Sequence, residues 1–260
     1  MSAILEVKDI KKSFGGLQAL SGCSFSVEEG SITGLIGPNG SGKTTMFNVI
    51  TGYETSDSGT INFKGQDVTG TAPDGVCRLG VGRTFQLTRV FGRLNLLENI
   101  QVGSRGVPKS KRKEMYSTER CFELLDFVGL TKLAHEKAGM LSYGQRKLVE
   151  LATILAQEPK VILLDEPMAG MNFEEKEDMA RYIVDLNEEF GMTVMMIEHD
   201  MGVVMDISHR VMVLDFGRKI AEGDPAAVLA DPHVKRAYLG EEDEVLVDPD
   251  DTPAPAETAA

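Results

Sequence analysis

No uninterrupted apolar run in the 260 residues approaches the roughly 20 needed to cross a bilayer, which excludes a helical membrane span. Met1 to Ile10 already carries Glu6, Lys8 and Asp9, so it has no apolar signal-peptide core, and the chain is expected to stay in the cytoplasm. Cysteine is scarce. Cys23, Cys77 and Cys121 lie far apart, are odd in number and form no CxxC, which counts against a disulfide framework or a zinc site and suits a reducing compartment. Positive charge is also short, with 27 Lys and Arg against 40 Asp and Glu. An acidic body without a basic stripe counts against a nucleic-acid partner.

The formal charge of −13 is unevenly spread. Residues Glu241 to Ala260 hold eight acidic side chains and no Lys or Arg, leaving −5 for the rest. Pro249, Pro253 and Pro255 sit there among small residues, a composition unable to offset the entropy of ordering. The reading is a solvated tail whose removal leaves any activity intact. Residues 1–240 are long enough for one large α/β domain with an inserted lobe.

The organising stretch is Gly37-Pro38-Asn39-Gly40-Ser41-Gly42-Lys43-Thr44-Thr45. It satisfies the Walker A spacing, with a buried strand predicted before it (Ser31 to Ile36) and a buried helix after it (Met46, Phe47, Val49, Ile50 inward). Gly37, Gly40 and Gly42 permit backbone conformations that let successive N–H groups converge on one anion, and the helix beginning near Lys43 adds its positive dipole end. Lys43 is expected to reach the β- and γ-phosphates, and the Thr44 hydroxyl to join the oxygen shell of a Mg²⁺ ion.

Around this loop, Ile4 to Val7 and Cys23 to Val27 read as strands, with Phe14 just after the first. Its ring could stack on a nucleotide base or be a core phenylalanine beside a turn. Thr60 to Phe63 reads as a strand, and Val81 to Phe85 as one that delivers Gln86 at its end, where an amide could ligate a metal or hold a water. From about 93 to 157 the pattern turns helical: Leu94 to Val102, Lys113 to Val128, Leu130 to His135 and Ser142 to Gln157. Leu148, Leu151, Ala152 and Leu155 give the last of these a core-facing stripe. Its start, Ser142-Tyr143-Gly144-Gln145, fits a capping box, and a helix N-terminus presenting a serine is also a place for an anion held by another subunit.

Val161-Ile162-Leu163-Leu164 predicts a strand buried on both faces, with Asp165 and Glu166 at its carboxyl end, where open α/β sheets place ligands. Adjacent carboxylates there are costly unless a cation or a proton transfer keeps them. Asp165 is assigned to Mg²⁺, directly or through water, and Glu166 to the water attacking a γ-phosphate. A helix from Asn172 to Phe190, with Met179, Tyr182, Ile183, Leu186 and Phe190 inward, leads to the apolar strand Thr193 to Ile197. That strand ends at Glu198-His199-Asp200, where His199 could bond a γ-phosphate. Met195, Met196, Met201 and Met205 read as core filling. Arg210 to Leu214 and Arg218 to Ala221 form a predicted strand pair, followed by helices at Pro225 to Leu229 and Pro232 to Leu239.

With these residues in order, the chain resembles the nucleotide-binding subunit of ABC transporters from Ile4 to Gly240. The ordered set is aromatic Phe14, Walker A Gly37 to Thr45, Q-loop Gln86, signature Leu141 to Gln145, Walker B Val161 to Glu166 and switch His199. The resemblance implies an α/β P-loop NTPase with a mixed or parallel core sheet, an N-terminal antiparallel β region and an inserted helical lobe. It implies an ATPase that forms a head-to-tail dimer, in which Ser142, Tyr143, Gly144 and Gln145 of one subunit cover ATP held by the other's loop. It also implies Mg²⁺ held by Thr44, Gln86 and Asp165, catalysis by Glu166, His199 and Lys43, and ATP contacts from Phe14 and Gln86.

Phe14-Gly15-Gly16, Arg83-Thr84-Phe85-Gln86, Leu96 to Ile100, Ile197 to Met201 and Tyr238-Leu239-Gly240 further resemble the ATPase of branched-chain amino acid importers. Relatives handling urea, amides or lipopolysaccharide share part of this pattern. A soluble ABC ATPase acting on nucleic acid or ribosomes usually carries two nucleotide domains or a long coiled coil, absent here. A small-molecule kinase would leave the signature and His199 unexplained. Two features depart from the wider family: Tyr143 replaces a smaller residue, and Asn172 stands where aspartate is common. The importer resemblance implies a second ATPase, two multispanning membrane subunits, a periplasmic binding protein, and a place at the cytoplasmic face of a bacterial inner membrane. Leu87, Val90 and Phe91 are expected either to line a groove for a membrane subunit or to be core.

Overall fold

The computed structural model describes residues 2–107 and 116–239. The acidic tail from Glu241, and the stretch 113–115 at the start of one predicted helix, lie outside the described residues.

Two long strands, β1 (Ala3–Phe14) and β2 (Leu17–Glu28), form an antiparallel hairpin that continues into β4 (Ser58–Phe63) and β5 (Gln66–Asp67), giving the order β2-β1-β4-β5. Phe14 is thus the last residue of β1, because the pairing expected over Ile4 to Val7 runs on to Phe14 opposite Leu17. A second, six-stranded sheet contains β3 (Ile32–Ile36), β6 (Val81–Arg83), β7 (Val161–Asp165), β8 (Thr193–Ile197), β9 (Arg210–Asp215) and β10 (Arg218–Gly223). Its order is β10-β9-β3-β8-β7-β6, parallel except for the β9–β10 hairpin.

The period of two along these strands divides the core. Ile32, Ile36, Ile162, Leu164, Val194, Met196, Val211 and Val213 belong to one apolar cluster, while Leu35, Val161, Leu163, Met195, Ile197, Met212 and Leu214 belong to the other. The second cluster is shared with the antiparallel sheet and with α1 (Lys43–Ile50). The first is shared with α3 (Leu96–Gly103), α4 (Thr118–Phe127), α5 (Tyr143–Leu155) and α6 (Phe173–Glu188), so the helical segment has no core of its own. The shorter helices are α2 (Pro73–Leu79), α7 (Met201–Ile207), α8 (Pro225–Ala230) and α9 (Pro232–Leu239).

Several boundaries differ from the sequence reading, each for a local reason. Helix α3 starts at Leu96, because the Asn95 side chain accepts from Glu98 N and Glu98 reaches back to Asn95 N. Helix α4 starts at Thr118 behind a Ser117 cap. Only a short 3₁₀ turn, Thr131–Leu133, forms where a helix to His135 was expected. Strand β6 stops at Arg83, leaving Thr84 to Gln86 outside the ladder. Phe190 faces solvent at 58% exposure rather than the core, since α6 ends at Glu188 and positive-φ Gly191 turns the chain away. In α5, Leu148 is only half-buried; Lys147, Val149, Glu150, Leu151, Ala152, Ile154 and Leu155 are buried, so the covered face is wider than one stripe. The helix is covered on more than one side: a β-carbon on Gly103 of α3 would lie 2.0 Å from the Thr153 carbonyl oxygen, while Lys147 donates to the Glu166 carbonyl and Glu150 accepts from Arg89 N.

Candidate active site

The carboxyl ends of β3, β7 and β8 carry the predicted machinery. After β3, the loop from Gly37 to Gly42 bends through three positive-φ glycines, Gly37, Gly40 and Gly42. Gly37 is irreplaceable on space as well as conformation, because a β-carbon there would meet the Leu214 carbonyl oxygen at 2.1 Å. Gly42 is the N-cap of α1 and no side chain caps the helix, so its first N–H groups stay free to meet an anion. The Lys43 ammonium folds back to donate to the carbonyls of Gly37 (2.7 Å) and Pro38 (2.9 Å). Burial lowers its pKa, opposed by the nearby charges of Glu166 and Asp165, which places all three groups in one electrostatic neighbourhood. Thr44 is exposed at the helix start. A β-carbon on Gly42 would lie 2.6 Å from the Ala19 carbonyl oxygen, so the hairpin that carries Phe14 packs against the loop. Phe14 is 45% exposed, with the Lys12 ammonium 5.0 Å from its ring centre, which removes the core alternative.

Two predicted residues converge on the carboxylate of a third. Gln86 Nε2 donates to Glu166 Oε2 at 3.0 Å, and His199 Nε2 lies 3.0 Å from Glu166 Oε1. Parallel pairing sets this up: Asp165 on β7 lies opposite Ile197 on β8, and Glu166 N donates to the Ile197 carbonyl at 3.0 Å. Glu166 takes a left-handed φ of 50°, unusual for a residue with a side chain. The loop beyond it is pinned by buried Glu198, which accepts from Met168 N at 2.8 Å.

Asp165 is 2% exposed. Its Oδ2 accepts from Arg83 Nη2 at 2.9 Å, its backbone N–H donates to Thr84 Oγ1 at 3.0 Å, and its Oδ1 has no partner. Burial raises the Asp165 pKa and the Arg83 guanidinium opposes the rise. A buried, unpartnered carboxylate oxygen near a phosphate loop is the donor a hard dication selects, with hydroxyl and amide oxygens completing the set. These residues therefore fit such an ion.

At the start of α5, the capping box forms as expected: Ser142 Oγ accepts from Gln145 N, and Gln145 Oε1 accepts from Ser142 N. Ser142 remains exposed, whereas Gly144 is buried with the Glu175 carboxylate against it. The Tyr143 phenol donates to the Gln86 carbonyl at 2.9 Å, and its ring lies where a β-carbon on Gly170 would touch it at 3.3 Å. Asn172 caps α6, its side chain accepting from Glu175 N at 2.9 Å.

Residues 20–169 match the family model described as ABC transporter. The chain belongs to the ABC transporter family. Residues 218–244 also match a model described as branched-chain amino acid ATP-binding cassette transporter. The high-affinity branched-chain amino acid transport ATP-binding protein BraF of Pseudomonas aeruginosa is 38% identical over 250 residues, covering 92% of this chain and 98% of that protein. LivG of Escherichia coli, with the same description, is 35% identical over the same shares. The ADP conformation of MJ1267, an ATP-binding cassette of an ABC transporter, superposes with a TM-score of 0.83 at 36% identity, covering 93% of this chain and 100% of that one. A dimeric, post-hydrolysis ATP-binding cassette, MJ0796 with ADP and Pi, superposes with a TM-score of 0.74 at 26% identity, over 85% and 98%. The chain is thus an ABC ATPase with the expected α/β cassette fold.

Within this ABC ATPase, sequence reasoning missed four groups around the site. Arg83 pairs with Asp165, Thr84 receives the Asp165 N–H, buried Lys147 donates to the Glu166 carbonyl, and Glu198 anchors the following loop. The available signal was a charge in an otherwise apolar setting: Arg83 in a buried strand, and Lys147 on the packed face of α5.

Proposed function

We propose that this ABC ATPase powers the import of branched-chain, hydrophobic amino acids. The match of residues 218–244 to the branched-chain amino acid cassette model carries this reading, and the descriptions of its relatives support it. No described helix is long and apolar enough to cross a membrane, so the channel is assigned to two separate multispanning subunits, with this chain held peripherally at the cytoplasmic face. A periplasmic binding protein is assigned to deliver the solute.

Thr44, Gln86 and Asp165 are proposed to hold Mg²⁺, which would neutralise phosphate charge. The N–H groups from Gly37 to Thr45, with Lys43, hold the phosphates, and the exposed Phe14 ring stacks on the base. Glu166 takes a proton from the attacking water while Gln86 and His199 orient its two carboxylate oxygens. Ser142, Tyr143, Gly144 and Gln145 are assigned to the ATP of a second ATPase subunit, identical or related, in a head-to-tail dimer; the exposed Ser142 supports this, as does the dimeric relative. ATP binding closes the pair and hydrolysis reopens it. Leu87, Val90 and Phe91 are assigned to a groove for a membrane subunit, a reading that the exposure of Leu87 (77%) and Phe91 (52%) supports.

The deciding experiment is a gentle detergent pull-down of the Glu166→Gln chain with ATP from native membranes, identified by mass spectrometry. Two multispanning proteins and a second ATPase are expected, and ligand screening of the associated binding protein should select leucine, isoleucine or valine. Ribosomal or nucleic-acid proteins, or no membrane protein, would overturn the transport reading and leave the ATPase standing.

A further inference from the structure

We infer that Arg83 is a positioning residue for Asp165, aiming one carboxylate oxygen at the metal of the nucleotide site. Arg83 is the last residue of β6, opposite Leu163 of β7, so its side chain meets Asp165 two residues further along. The guanidinium is fixed on both of its terminal nitrogens: Nη2 donates to Asp165 Oδ2 at 2.9 Å and Nη1 to Thr51 Oγ1 at 2.9 Å. Thr51 is itself held, donating to the Phe47 carbonyl at 2.6 Å. Rings close the cage, with Phe85 centred 5.0 Å and Phe47 and Tyr53 each 5.7 Å from the guanidinium carbon.

The pair is deeply buried, with side-chain exposures of 5% for Arg83 and 2% for Asp165. Such a pair contributes little net stability, because desolvating both charges offsets their attraction; well-packed apolar residues of the same volume would serve stability as well. What it does supply is direction. One Asp165 oxygen is tied to a guanidinium that cannot turn, and the other, Oδ1, is left buried and unpartnered. Groups that hold a ligating carboxylate by hydrogen bonds set its orientation and charge, and their loss typically weakens metal affinity about 10- to 100-fold. Lysine is no substitute, since a point charge cannot grip Asp165 and Thr51 together as a planar fork does.

This inference rests on the assignment of Asp165 to the metal, and the test separates the two. Mn²⁺ binding to the protein–ATP complex is measured by electron paramagnetic resonance, beside ATP affinity in EDTA, for Arg83→Met, Arg83→Lys, Thr51→Val and Asp165→Asn. The expected result for Arg83→Met is Mn²⁺ affinity about 10- to 100-fold weaker, with metal-free ATP affinity within about twofold of the parent. Thr51→Val should show a smaller loss in the same direction. If Arg83→Met does not fold, Arg83→Lys, which keeps the charge, carries the test. Mn²⁺ affinity unchanged in a folded Arg83 variant, or an equal fall in metal-free ATP affinity, would overturn the positioning role. Unchanged Mn²⁺ affinity in Asp165→Asn would instead overturn the metal assignment itself.

Discussion

The Tyr143 phenol donates a hydrogen bond to the backbone carbonyl of Gln86, and through it the first residue of the signature helix is tied to the loop that supplies an amide to Glu166. Tyr143→Phe keeps the ring against Gly170 and removes only this bond, worth about 1 kcal/mol. A melting temperature lower by about 2–4 °C is expected for a chain of this size. Turnover should fall while ATP affinity holds, because Gln86 loses its tether but the phosphate loop is untouched. Steady-state kinetics with nucleotide binding measured separately checks this; an unchanged kcat would show the bond to be structural only.

Glu166→Gln should bind ATP and form the dimer yet hydrolyse barely at all, since an amide cannot accept the proton of the attacking water. Near-normal turnover in this variant, measured by phosphate release, would sink the assignment of the base.

Phe91 lies exposed beside half-buried Val90. Phe91→Asp is expected to abolish recovery of the chain with membranes while leaving its soluble folding and ATP binding within experimental error. Co-sedimentation with membranes that contain the transporter reads the outcome, and normal recruitment would return Phe91 to the status of a scattered surface residue.

Glu150 gives a pH dependence of definite sign. Burial pushes its pKa up to about 7 from the ordinary 4.5, against the opposing pull of the Arg89 and Phe85 N–H groups, Lys147 and Arg89. The folded state therefore holds a proton that the unfolded chain releases near pH 4.5. This contribution to stability is complete below that pH and is lost as pH rises to about 7, a change on the order of 3 kcal/mol. Glu150→Gln should flatten the rise of denaturant midpoint on acidification through that window. A midpoint that responds to pH as steeply in the variant as in the parent would assign the effect elsewhere.

Most of the cassette was legible because the signals were local and mutually reinforcing. Four apolar residues before Asp165 indicated a strand covered on both faces, and Ser142 with Gln145 named its helix start to the residue. The arrangement around Asp165 was not legible, because Arg83 and Asp165 are 82 positions apart and meet through the registry of two parallel strands that no spacing reveals. Glu166 shows the same limit from the other side. Its separate identification beside Gln86 and His199 was possible from motif order, but their joint grip on one carboxylate required β7 and β8 to be neighbours. Phe190 failed for a simpler reason: periodicity holds only while the helix lasts, and the helix ends two residues earlier.

The phosphate loop carries, in its own backbone, a rival to its ligand. Lys43 commits two of its three donors to the carbonyls of Gly37 and Pro38, so a phosphate that takes them exchanges those bonds for its own rather than stripping water from a bare ammonium. Calorimetry of nucleotide binding should accordingly record a smaller heat from this lysine than its charge alone suggests. The same two bonds tie the Lys43 side chain across the loop it stems from, so the loop braces its own shape from within.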